Sequence, residues 1–161
     1  MLITTNPKSK TKSKSSPPPS FYIDANTFNS PLSLDVSQQP LPSTVSPVFI
    51  HAGNNLGEVE VTVDKYFQGS FLVQTEYATA ELEDGSIDSE VGFDDGLVAS
   101  DNYLTDWAGR NLYVDASADS IVSGWGGEGE RPESSKPGVG APGCVEVLSV
   151  LSPVELSLGG S

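Results

Sequence analysis

Between Gly57 and Leu82 the sequence reads GEVEVTVDKYFQGSFLVQTEYATAEL, and its alternation constrains the fold more than any other feature. Val59, Val61 and Val63 alternate with Glu58, Glu60, Thr62 and Asp64. That period of two collects the valines on one face of a strand, whereas a helix would scatter them around its circumference. Gln68-Gly69 reads as a tight turn, and Phe71, Val73, Thr75 and Tyr77 then alternate again. The stretch is therefore expected to be a half-buried antiparallel hairpin over 58–79.

The chain around it carries the same short-strand signal. Val48 to Ala52 reads as a strand, and Gly53-Asn54-Asn55-Leu56-Gly57 as a turn cluster. Glu83-Asp84-Gly85-Ser86 is another turn, followed by short apolar pieces at Ile87, Val91 to Phe93 and Leu97 to Ala99. Ser100 to Gly109 is the helix candidate: Ser100 caps it, Tyr103, Leu104 and Trp107 share a face, and Gly109 stops it. Leu112 to Val114, Ile121 to Val122, Val145 to Leu151 and Val154 to Leu158 read as further strands. Residues 124–143 hold seven glycines and three prolines and read as a long loop. No internal sequence repeat is found. The expected fold is all-β: an antiparallel sandwich or barrel of short strands, with one short helix and a long N-terminal arm.

That arm spans residues 1–47, and a β-rich body spans 48–161. Eight of the twelve prolines lie in 1–47 among ten serines, a spacing that forbids a continuous helix or a central strand. Phe21, Tyr22, Ile23, Phe28, Leu32 and Leu34 nevertheless recur there in short apolar pieces. A flexible linker needs no such side chains, so they are expected to anchor an extended segment on a partner surface.

Charge divides the chain at the same place. Residues 1–20 carry Lys8, Lys10, Lys12 and Lys14 and no acid, while the remainder sets four basic residues against 22 acids, a net of −18. Such a body repels nucleic-acid phosphate and anionic lipid. No run approaches the ~20 apolar residues needed to cross a bilayer, and the N-terminus lacks a signal-peptide core, so synthesis in a reducing cytosol is expected. Cys144 is the single cysteine, which rules out an intrachain disulfide.

The search for chemistry yields little. His51, the single histidine, and Cys144 sit in separate apolar stretches, PVFIHA and GCVEVL, without an orienting partner. There is no Gly-x-Ser-x-Gly elbow and no phosphate-cradling Gly-Lys-Ser/Thr. Ten acids and no lysine or arginine lie between Tyr66 and Gly109. Within that run Asp84, Asp88, Asp94 and Asp95 flank glycines and are the weak calcium candidates, because the EF-hand spacing is missing. No catalytic residue, metal site or cofactor is assigned, and the chain reads as non-enzymatic.

In its layout of extended N-terminal arm and acidic β-body, the chain resembles virion structural proteins of tailed bacteriophages, the capsid decoration (cement) type in particular. The resemblance implies a protein made in the host cytoplasm and incorporated into the virion. It would stabilise the shell by tethering neighbouring subunits through the arm. Its implied partner is the major capsid protein or another virion protein, and its implied state is a homo-oligomer, often a trimer in that class. The competing expectation is a β-sandwich module for carbohydrate or receptor binding, with Trp125 and Arg131 in a contact loop.

Overall fold

The computed structural model describes residues 20–38, 46–84, 102–107, 110–128 and 143–160. These form eleven strands and no helix. The first six are β1 (Phe21–Asn26), β2 (Leu32–Val36), β3 (Val48–Asn54), β4 (Val59–Asp64), β5 (Gly69–Thr75) and β6 (Ala80–Asp84). The rest are β7 (Asn102–Trp107), β8 (Arg110–Ala118), β9 (Ile121–Gly127), β10 (Cys144–Ser149) and β11 (Val154–Gly160). Seven strands make one sheet in the order β1-β3-β10-β5-β9-β8-β7, and four make a second in the order β2-β4-β11-β6. The all-β expectation stands, while its finer features need correction.

The expected hairpin at 58–79 does not form. β4 and β5 lie in different sheets. Phe67 is fully buried in the link between them, with its N–H donating to the carbonyl of Asp64 at 3.1 Å. This buried aromatic carries the chain from one sheet to the other, where a hairpin turn would have returned it alongside itself. The expected helix at 100–109 is also corrected. Residues 102–107 are β7, with Tyr103 opposite Tyr113 and Leu104 opposite Leu112 on β8. A neighbouring strand that supplies backbone partners overrides a modest local helix preference.

Four consecutive strand pairs share one design. β1→β2, β3→β4, β5→β6 and β10→β11 each cross from the larger sheet to the smaller one. Within the stack Ile23, Ile50, Val145 and Phe71 stand level on adjacent strands, and so do Ala25, Ala52, Val147 and Val73. In the second sheet Leu32, Val59, Val154 and Ala80 form one level, and Leu34, Val61, Leu156 and Leu82 the next. From Ile23 to Leu32, Ile50 to Val59, Phe71 to Ala80 and Val145 to Val154 the step is nine residues each time. The segments 21–36, 48–63, 69–84 and 143–158 are thus four sixteen-residue arches without a gap, a repeat that residue identities conceal.

We call these arches rungs 1 to 4 in chain order. Their order in space is 1-2-4-3. All pairings between rungs are parallel. Antiparallel pairing is confined to the β5-β9-β8-β7 extension. Parallel strands normally need long crossovers, but here each arch supplies one strand to each sheet and the next arch stacks on it. The backbone ladder continues through the turns: Leu56 N–H donates to Phe28 O, Leu151 N–H to Asn55 O and Tyr77 N–H to Val150 O, at 3.0 to 3.1 Å.

The core fills the space between the sheets. Ile50, Ala52, Phe71, Val73, Val145 and Val147 face Val59, Val61, Val63, Leu156 and Leu158 across it, and all are buried. Burying each such Val or Leu stabilises by roughly 1.5–3 kcal/mol. Residues 21–36, within the segment expected as an arm, form rung 1 at one end of the stack.

Candidate docking face

The arm residues divide between buried and exposed positions. Ile23, Leu32 and Leu34 pack against the core. Phe21, Tyr22 and Phe28 are 55%, 74% and 67% exposed. Tyr22 stacks on Phe49 of the neighbouring strand, with ring centroids 4.8 Å apart and planes 9° from parallel. Rung 1 therefore gives part of its apolar surface to the fold and presents the rest to solvent.

The turn ends of the rungs form a second exposed feature. Asn54 is buried, and its amide donates to Ser30 O at 2.7 Å while its carbonyl oxygen accepts from the N–H groups of Leu56 and Gly57. Thr75 Oγ1 donates to Ser152 O at 3.2 Å, and Ser152 Oγ to Leu56 O at 2.7 Å. With the small polar side chains spent on these bonds, the apolar residues of the turns point out. Phe28, Leu56, Leu151 and Tyr77, one from each rung, are exposed in stack order.

Beside this row, on the outer face of the larger sheet, lies an open depression of about 460 Å³. Asn26, His51, Asn55, Gln74 and Glu76 contribute to its lining. His51 Nδ1 lies 3.3 Å from Glu146 Oε2, so the histidine meets a carboxylate rather than Cys144, which is buried.

The outer face of the smaller sheet is acidic. Glu60, Glu155 and Glu81 stand level on β4, β11 and β6, about 4.8 Å apart strand to strand. Partial burial and then the nearby Glu83 push the Glu155 carboxyl above its ordinary value. Glu60 and Glu81 add to the shift, against a hydrogen bond from the Ser157 hydroxyl.

The remaining sequence candidates fall elsewhere. Trp125, expected in a contact loop, lies in β9 and is 1% exposed, its ring tilted against Tyr113. Arg131, Asp88, Asp94, Asp95 and the Asp84 side chain lie outside the described residues. Among the described residues no group of His, Cys, Asp and Glu has the geometry to hold a metal ion, and no helix is long and apolar enough to cross a membrane. The turn-face row of Phe28, Leu56, Leu151 and Tyr77 escaped the sequence reading. Its signal was an apolar residue at the centre of every turn cluster.

No protein-family model and no curated protein matches the chain. Among solved structures, a putative cell adhesion protein from Clostridium sporogenes is similar at a TM-score of 0.33 and 8% identity, over 86% of this chain and 52% of that one. This chain thus spans about half the length of that protein. A likeness this loose fixes neither fold nor function.

Proposed function

We propose that the protein is a non-enzymatic structural component that docks on a larger assembly through rung 1 and the segment before it. The specific form proposed is that of a capsid decoration (cement) protein, with a major capsid or other virion protein as partner. One observation carries the reading. Phe21, Tyr22 and Phe28 are all exposed on the rung at which both sheets end among the described residues. β1 (FYIDAN) and β2 (LSLDV) contain no proline or lysine, and they pair inward without a register shift. Edges left this plain are templates for strand addition. A trimeric state is part of the same proposal, as is action in the virion.

The test is co-sedimentation. Large particles are isolated from producing cells on a density gradient, with either the native protein or the F21S/Y22S/F28S variant present. The native protein travels with the particles, and the variant, equally folded by circular dichroism, stays at the top of the gradient. Equal sedimentation of both would overturn the reading.

A second reading is binding of a neutral carbohydrate in the depression on the larger sheet. It rests on the planar amide and carboxylate groups of Asn26, Asn55, Gln74 and Glu76 in the lining, and on Tyr77, which follows Glu76 in the chain and is exposed. Tyr77→Ala would abolish retardation of the protein in gels containing neutral polysaccharide. Absence of retardation for the native protein would remove this reading.

A further inference from the structure

Rungs 2 and 3 follow one another in the chain, with only residues 65–68 between their strands β4 and β5, yet the rungs are not neighbours in space. Rung 4 stands between them. β10 pairs with β3 on one side and β5 on the other, and β11 pairs with β4 and β6. Without rung 4 both sheets would part along the same line, leaving β1-β3 and β2-β4 on one side and the β5 and β6 groups on the other. The gap would span two strand spacings, about 9.6 Å. It is closed at one end by the 65–68 link with its buried Phe67.

The arch in that slot is held by backbone ladders on both sides of both of its strands. Its Val145, Val147, Val154, Leu156 and Leu158 are at most 1% exposed. It enters at Gly143, which sits backbone to backbone against the link. A Cβ there would lie 2.7 Å from Val48 O and 2.9 Å from Gln68 O, and the Gly143 carbonyl accepts a 3.2 Å hydrogen bond from Ser70 N–H. Every strand-to-strand bond the arch makes is to rungs 2 and 3. Nothing in those contacts requires that arch and frame belong to one molecule, and residues 128–142 separate the arch from β9 along the chain.

We infer that the slot between rungs 2 and 3 is a binding site for a sixteen-residue arch. Here it is filled by the chain's own residues 143–158, and it takes the same arch from a second copy of this chain. Reciprocal exchange of rung 4 would join two copies with every native bond retained. This contact is separate from the rung 1 surface, so each can fail without the other.

The test uses the full chain with a site-specific protease sequence inserted between Ser134 and Ser135, cut after folding. A fluorescent peptide of residues 143–161 is then added in excess. The native peptide enters the cut protein and co-elutes with it on size exclusion, whereas a peptide carrying Val147→Asp and Leu156→Asp does not. Failure of the native peptide to enter, or equal uptake of both, overturns the inference. In a second arm the uncut, unmodified chain is refolded from denaturant over a range of concentrations. A dimer fraction that grows with concentration and mixes tagged with untagged chains is expected. Monomer at every concentration would overturn exchange between copies.

Discussion

The side-chain amide of Asn54 donates a 2.7 Å hydrogen bond to the main-chain carbonyl of Ser30, joining the turns of rungs 1 and 2. Gly57 lies directly beneath. A Cβ at that position would sit 2.4 Å from Asn54 Nδ2 and 2.6 Å from Ser30 O. Asn54→Ala takes the acceptor from the buried Gly57 N–H and leaves the Ser30 carbonyl with the Thr27 hydroxyl and the Leu56 N–H with the Phe28 carbonyl, at a cost of about 1–3 kcal/mol. Gly57→Ala displaces the same amide, so the two losses overlap in the double variant. Denaturant titration of the four proteins checks this: fully additive losses would mean that the two residues act separately.

The two faces of β4 predict opposite outcomes. Val61 is completely buried between the sheets, so Val61→Asp places an unpaired charge in the core. That costs several kcal/mol, enough to unfold a domain of ordinary marginal stability. Glu60→Lys is expected to be neutral or mildly stabilising, because it relieves repulsion from Glu155 directly across the strand pair. Thermal melts decide the matter, and equal damage from both would contradict the assigned faces.

This contrast shows what the sequence made legible. Alternation marks which side chains are buried, and Val59, Val61, Val63, Phe71 and Val73 all are. It is silent on which strand lies next door, because a period of two is the same in a hairpin and in a stacked arch. The repeat stayed hidden because the rungs share a pattern rather than residues: Ile23, Ile50, Phe71 and Val145 are equivalent, as are Thr27, Asn54, Thr75 and Ser149. Trp125 was misread for a related reason. Its flanking glycines suggested a loop, but a Cβ at Gly124 would lie 1.9 Å from Tyr113 O, so that glycine serves close strand approach. Of the docking face, Phe21, Tyr22 and Phe28 were legible as apolar residues in a proline-rich setting. Their exposure depended on strand pairing the sequence did not reveal.

Acidity is expected to stabilise through Glu155. Its folded pKa lies above the ordinary value of 4.5, so the folded state holds the proton more tightly than the unfolded chain. Stability from this group therefore falls as pH rises through the interval between those two values, and returns on acidification through it. Glu155→Gln mimics the protonated form. It should be more stable than the native protein at pH 7, with the difference closing as pH approaches the ordinary glutamate range. Denaturation midpoints for the two proteins across that range provide the check, and no difference at pH 7 would contradict it.

The spatial order of the rungs is the claim on which the slot and the docking rung both depend. Methyl–methyl nuclear Overhauser effects in the native protein test it directly. Val147 is expected to show contacts to both Ala52 and Val73, and Leu156 to both Val61 and Leu82, as a parallel 1-2-4-3 stack requires. Cross-strand contacts pairing residues 59–64 with 69–75 in antiparallel register, without the Val147 pair, would contradict it.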